Sequence, residues 1–260
     1  MEQRVQLQPA YVLHSRPFQN TSLLVDFFCM DYGRVRAIAR GVRANKSRLR
    51  PFLQLFHPLL VSFSGRGEVK TVSGIESGLA AIRLQGQRLF SGLYVNELLT
   101  RMLMLHVEHK ALYMNYQETL AALQGESDME VVLRRFELNL LADLGYAINL
   151  QEDCRTHSEI INNQIYRFTP DIGFELTDEE LHADSNSAEL AEVHANITAP
   201  TPAANPRLFR GEQLIALREF DLRNREHAQA AKRLLRLALN AHLGDKPLHS
   251  RSLFPQKSSR

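Results

Sequence analysis

The alternation of apolar and polar positions divides the chain near residue 80. Before it, the runs Ala10–Arg16, Leu23–Met30, Gly33–Ala39, Leu59–Phe63 and Val69–Ser73 are short, rich in Val, Leu and Phe, and read as strands. Asp31-Tyr32-Gly33 and Ser64-Gly65-Arg66-Gly67 mark tight reversals between them. Five short strands in about 75 residues predict a small closed or nearly closed barrel, either an OB-fold or an SH3-like barrel. Periodicity does not choose between the two.

After Gly78 the apolar period becomes helical. Leu89, Leu93, Val95, Asn96, Leu98, Leu99, Met102 and Leu103 form one stripe; Leu112, Tyr113, Tyr116, Leu120 and Leu123 form another, stopped by Gly125. Asp128 caps a third segment from Val131 to Leu144, which Gly145 ends. Leu214–Phe220 and His227–Leu243 are the last helices. Met102, Met104 and Met114 read as core filling. Gln151–Pro206 is less regular: a hairpin of Ile165–Thr169 with Gly173–Leu176, an acidic stretch Thr177–Val193, and an uncharged proline-containing linker Asn196–Pro206. The chain therefore reads as an α+β multidomain protein, with a barrel over 1–80 and a helical domain over 81–260 that carries an irregular insertion at about 151–206.

Composition narrows the class. With 260 residues, 44% hydrophobic and 23% charged, the chain has the proportions of a folded protein. Its two cysteines, Cys29 and Cys154, exclude a disulfide scaffold. The start, Met1-Glu2-Gln3-Arg4-Val5-Gln6, lacks the apolar core of a signal peptide, and no run of about 18 apolar residues suggests a membrane span. A reducing cytoplasm is the expected compartment.

The net charge of +2 hides an uneven distribution. Residues 1–80 hold 11 basic and 5 acidic side chains, 126–195 hold 4 and 16, and 196–260 hold 12 and 5. Within the first segment, Arg34, Arg36, Arg40, Arg43, Lys46, Arg48 and Arg50 place seven cations and no anion in 17 residues. Val35, Ala37 and Ala39 alternate with Arg36, Ile38 and Arg40 as in a half-buried strand, and the remainder reads as a loop. Such a strand and loop can follow a phosphate backbone, because each neutralised phosphate releases counterions. The plainer alternative is a solubilising edge strand. Self-repulsion among so many like charges favours a ligand.

Enzyme chemistry finds little support. Ser64-Gly65-Arg66-Gly67-Glu68-Val69-Lys70-Thr71 has glycines and Lys-Thr, but no glycine directly precedes the lysine and the segment leads into a strand, whereas a phosphate loop opens a helix. It reads instead as a basic hairpin turn that sets Arg66 and Lys70 beside nucleic-acid backbone. His106-Val-Glu108-His109 lacks further ligands, and Cys154-Arg-Thr-His157 is one half of a zinc pair whose only distant recruits would be His182 and His194. We expect no metal, no cofactor and no catalytic residue.

Several stretches together resemble the bacterial DNA repair protein RecO family. They are Tyr11-Val-Leu-His-Ser-Arg16 with Thr21-Ser-Leu-Leu24, Gly33-Arg-Val-Arg36, Gly65-Arg-Gly-Glu-Val-Lys70, Gly92-Leu-Tyr-Val-Asn-Glu-Leu98, Arg134-Arg-Phe-Glu-Leu138 with Leu144-Gly-Tyr146, and Ala231-Lys-Arg233 with Lys246-Pro-Leu-His-Ser-Arg251. The resemblance implies an N-terminal OB-fold, a C-terminal helical domain and an insertion that in some members is a four-cysteine zinc module, here degenerate because only Cys154 remains near it. It also implies a non-enzymatic protein of the RecF pathway. Such a protein binds single- and double-stranded DNA, anneals complementary strands, engages the acidic C-terminal tail of single-strand-binding protein, and acts with RecR to load RecA, which it reaches indirectly. The expected setting is the cytoplasmic nucleoid, and a monomer is favoured.

On that reading Arg34, Arg36, Arg40, Arg43, Lys46 and Arg48 supply one polyanion surface, while Lys232, Arg233 and Arg236, three and four apart on one helix, supply a second. Tyr32 is a candidate for stacking a base. Arg134 and Arg135 are the candidate cations for the tail's carboxylates, with ion pairing to Glu130 or Glu137 as the structural alternative. A protein-interaction adaptor that meets DNA only through its partners is the competing function, and a nuclease the third.

Overall fold

The computed structural model describes residues 3–78, 80–178, 205–244 and 246–254. The acidic stretch beyond Asp178, the linker up to Ala204, and His182 and His194 lie outside them. The chain divides into two compact units, 1–147 with 242–260, and 148–241.

The first unit opens with five strands: β1 (Gln3–Phe18), β2 (Ser22–Cys29), β3 (Gly33–Ala39), β4 (Leu59–Gly65) and β5 (Lys70–Ser77). They close in the order β1-β2-β3-β5-β4, with β3 and β5 parallel and the other pairs antiparallel. This is the five-stranded OB-like arrangement, so the SH3-like alternative falls away. Alternation works as expected on β3, where Val35, Ala37 and Ala39 are fully buried and Arg34, Arg36 and Ile38 half-buried. Val35, Ala37 and Ala39 join Val25, Phe27, Val61 and Phe63 in the barrel core. Tyr32 packs edge-on against Phe63, with centroids 5.8 Å apart, and is only partly buried at the barrel wall.

Three helices follow: α1 (Gly86–Met102), α2 (Lys110–Gln124) and α3 (Met129–Asp143). Asp128 caps α3 as expected, its carboxylate accepting from the N–H groups of Glu130 and Val131 at 2.8 and 3.3 Å. The segment Gly92-Leu-Tyr-Val-Asn-Glu-Leu98 fixes α1 against its neighbours. A Cβ on Gly92 would stand 2.6 Å from Leu84 and 2.8 Å from Phe56. Buried Asn96 donates to the Val12 and Leu13 carbonyls at 3.4 and 3.1 Å, where β1 changes register, and accepts from the Tyr116 hydroxyl at 2.7 Å. The amide thereby gives these two carbonyls a donor at the register shift. Glu97 receives the N–H groups of His249 and Ser250, each at 2.8 Å, at the start of a 3₁₀ turn over His249–Leu253.

The α1–α2 connection packs on the open end of the β2–β3 turn. The His106 N–H donates to the Arg34 carbonyl at 2.9 Å, and a side chain at Gly33 (φ +58°) would meet the Val107 carbonyl oxygen at 1.6 Å. Only glycine fits there, on both conformational and steric grounds.

The second unit holds β6 (Ile165–Thr169), β7 (Gly173–Leu176) and β8 (Leu208–Arg210) in the order β7-β6-β8, with α4 (Gly211–Arg218) and most of α5 (Arg225–Leu243). The expected hairpin is present with Phe168 opposite Phe174. Those two rings and Phe209 form an aromatic cluster at centroid distances of 5.1 to 6.5 Å.

Candidate nucleic-acid interface

The register of the barrel decides which cations face solvent. Asp26 on β2 lies directly opposite Arg36 on β3, and Phe28 opposite Arg34. Directly opposed residues share a face of the sheet, so the carboxylate meets both guanidinium groups. Arg36 Nε and a terminal nitrogen reach Asp26 at 2.9 and 3.3 Å, while Arg34 reaches it at 3.4 Å and also donates to the Leu103 carbonyl at 3.2 Å. Burial pulls the Arg34 guanidinium below its ordinary pKa, and the Asp26 charge opposes that pull. The trio keeps one net positive charge, with Arg34 turned inward and Arg36 partly open.

Past Ala39 the picture changes. Arg40, Arg43, Lys46 and Arg48 are all exposed. Val42 is buried beneath them, and Leu49, Phe52 and Leu53 pack on the barrel core, so the loop is anchored while its cations point outward. The Arg43 N–H donates to the Thr21 carbonyl at 2.8 Å and its guanidinium to the Gln19 carbonyl at 3.3 Å, which ties the loop to the β1–β2 turn. No acidic residue stands between Asp31 and Glu68 in the sequence. Two exposed arginines extend this end of the barrel. Arg50 continues the loop, and Arg16 is joined to β3 through Arg16–Leu24 and Leu24–Ile38 pairing. Arg16 stands far from the cationic run in sequence, so only the strand register discloses it.

The other expected residues fall elsewhere. Lys70 is buried, with its ammonium donating to the Gly65 carbonyl at 3.3 Å, which ties the two arms of the hairpin together. Arg66 is exposed at the tip of that hairpin. The parallel pairing of Ala37 with Lys70 sets the hairpin toward the start of β3 and the 40–50 loop at its end, so Arg66 does not join the loop cations. On α3, Arg134 is buried and paired with Glu137 at 2.8 Å, the structural alternative of the sequence reading, whereas Arg135 is exposed. On α5, Lys232 and Arg236 are exposed, but Arg233 turns inward, donating to the Leu208 carbonyl at 2.9 Å with its guanidinium 4.5 Å from the Phe209 ring centre.

Around Cys154 the residues do not fit a zinc module. Structural zinc takes four ligands, and among the described residues no group of three or more His, Cys, Asp or Glu side chains is placed to hold a metal. A carboxylate organises the turn instead. Asp153 accepts from the Arg155 and Thr156 N–H groups at 2.7 Å each and from the Leu176 N–H at 2.5 Å, tying the 153–158 turn to the end of β7. Burial pushes its carboxyl upward, but the Leu176, Thr156 and Arg155 donors outweigh this and hold it below the usual carboxylate range. A depressed folded-state pKa stabilises the fold above the unfolded value of about 3.9, and that contribution disappears as pH falls through the folded value. Asp153→Ala should therefore weaken the second unit by about 2–4 kcal/mol at neutral pH, with the difference from the unsubstituted chain shrinking below about pH 4. Hydrogen exchange at residues 153–176 reads this directly, and equal protection at neutral pH would refute it.

Comparison with known proteins agrees with the architecture. Residues 1–78 match the family Recombination protein O N terminal, and residues 83–252 match Recombination protein O C terminal. A DNA repair protein RecO of Yersinia pestis (strain Pestoides F) is 40% identical over 250 residues, which cover 96% of this chain and 94% of that protein. The DNA repair protein RecO of Enterobacter sp. (strain 638) is also 40% identical over 250 residues, covering 96% of each. With an OB-like barrel ahead of a helical region, and both parts of the family matched in order, the chain belongs to the RecO family of DNA repair proteins.

Proposed function

We propose that this chain is a non-enzymatic recombination mediator that binds single- and double-stranded DNA at the barrel, anneals complementary strands coated by single-strand-binding protein, and assists RecA loading together with RecR, in the nucleoid. The observation that carries the reading is the exposed, acid-free loop of Arg40, Arg43, Lys46 and Arg48 at one end of the barrel. Annealing brings two polyanions together, and anchored cations lower their repulsion without any bond being made or broken by the protein. Exposed Arg135 on α3 is the better candidate for the carboxylates of the single-strand-binding protein's tail, since Arg134 is already held by Glu137.

The adaptor reading, in which DNA is reached only through partners, draws support from the engagement of Arg34 and Arg36 by Asp26. Fluorescence anisotropy of a labelled oligothymidylate across a salt series separates the two. Four loop cations on a single strand give a log–log slope of about −3. Retention that is absent, or indifferent to salt, favours the adaptor. Annealing of complementary strands, bare and coated, should then be faster with the protein than without it.

A further inference from the structure

Strand β2 carries a single charged side chain, Asp26; its other residues are a serine, a cysteine and five hydrocarbon side chains. Stability does not account for a buried carboxylate there. Drawing charges out of water offsets most of what their attraction returns, and a buried ion pair is commonly no more stabilising than well-packed apolar side chains in its place. What Asp26 does change is the charge that β3 offers to a polyanion.

Asp26 accepts from Arg36 through Nε at 2.9 Å and through Nη2 at 3.3 Å, the two-pronged fit that a guanidinium also makes with a phosphate. Arg34 reaches the same carboxylate at 3.4 Å but is anchored independently by the Leu103 carbonyl at 3.2 Å. Its side chain is 12% exposed, against 28% for Arg36, so Arg36 is the cation nearer solvent. Arg36 lies on the outward face of β3, four residues before exposed Arg40. Exposed Arg16 stands one row along the sheet, through Leu24 opposite Ile38. Arg36 thus neighbours the cationic end of the barrel, with one edge of its guanidinium already taken by Asp26.

We propose, resting on the reading of the barrel as a DNA-binding element, that Asp26 is a restraining residue: it withholds Arg36 from the phosphates of a bound strand and keeps the barrel's grip loose. A protein that brings two strands together has to release the paired product, and every further cation in contact with phosphate deepens the salt-dependent hold. Arg34 is the partner that makes the restraint durable. Held from two sides, it keeps a positive charge beside the buried carboxylate, so Asp26 stays ionised and in place.

The test is a pair of substitutions in the full chain that leaves the net charge unchanged. Asp26→Asn/Arg34→Gln removes one acid and one base and sets Arg36 free. Labelled oligothymidylate should bind this variant about fivefold tighter than the unsubstituted chain, with a salt slope steeper by about 0.7, the value for one more phosphate on a single strand. Release into an excess of unlabelled strand should slow in proportion. Adding Arg36→Gln should cancel the gain. A double variant that binds no tighter than the unsubstituted chain overturns the proposal, and so does a gain that survives Arg36→Gln. If the double variant does not fold, Arg36→Gln alone decides, because Asp26 then keeps Arg34 and no buried charge is stranded. That single change should weaken binding by less than about 1.5-fold, against about fourfold for Arg40→Gln, and equal losses overturn the proposal. An unsubstituted chain that retains no oligothymidylate removes the DNA-binding reading itself, whereas one that binds without any gain in the double variant removes the restraint alone.

Discussion

Replacing Arg40, Arg43, Lys46 and Arg48 together with glutamine should weaken oligonucleotide binding at least ~100-fold and flatten its salt slope by about 3, with little change in Tm. The side chains are exposed, and among them Arg43 donates to the Gln19 carbonyl at 3.3 Å. Surface substitutions of this kind shift stability by no more than about 0.5 kcal/mol, and relief of self-repulsion acts in the stabilising direction. The neighbouring pair behaves oppositely. Arg34→Gln/Arg36→Gln strips the Asp26 carboxylate, itself 6% exposed, of both its cations. A buried charge left alone costs about 3–5 kcal/mol, so this variant should lose stability first and affinity only as a consequence. Anisotropy titrations and thermal melts on both variants distinguish the roles. A loop variant that binds as tightly as the unsubstituted chain would remove the loop from the interface.

The sequence treats these cations as equals because it lists them side by side. Asp26 is separated from Arg36 by the β2–β3 turn, and only antiparallel register puts them face to face. Lys70 hides for a related reason: it opens β5 with its side chain folded back over Gly65, within 3.6 Å of where a Cβ would stand. Strand alternation was readable wherever it ran unbroken, as on β3, and failed where it did not. β1 reaches back to Gln3 because register shifts at Val5/Gln8 and Val12/His14 let one strand pair with both β2 and β4. Those shifts erase the period of two that would have announced the strand. β8 has three residues, too few for any period. The helices were legible because their stripes are wide and their stop signals strong, as Gly145 (φ +84°) and Gly244 (φ +69°) show by adopting the left-handed conformation. The family segment around Gly92 was visible as a motif, but its meaning was not. Its members turn out to be a close-packing glycine, a bulge partner and a cap for the 3₁₀ turn.

Truncating Glu137 should destabilise the first unit far more than substituting the exposed loop cations. Adjacent helical positions differ by about 100°, so Arg134 and Arg135 cannot face the same way, and it is Arg134 that falls inside with Leu133, Phe136 and Leu140. There Arg134 meets Glu137 at 2.8 Å, and the same carboxylate oxygen accepts the Tyr94 hydroxyl at 2.7 Å. Burial, and then the Glu137 charge, push the Tyr94 phenol well above its ordinary pKa, which keeps it a donor. Removing Glu137 takes from buried Arg134 the carboxylate it meets, and removing Arg134 takes from buried Glu137 the cation it pairs with at 2.8 Å. Glu137→Ala and Arg134→Ala should each cost about 3–5 kcal/mol, whereas Arg134→Met/Glu137→Leu, which removes both, should come out far milder than either single change. Urea denaturation of the three variants measures this, and an Arg134→Ala chain as stable as the unsubstituted one would refute the buried pair. The same comparison isolates the tail contact. If the exposed cation is the recognition element, Arg135→Gln weakens capture of an acidic tail peptide at unchanged Tm while the double variant still binds it; loss of capture in the double variant would return Arg134 to the site.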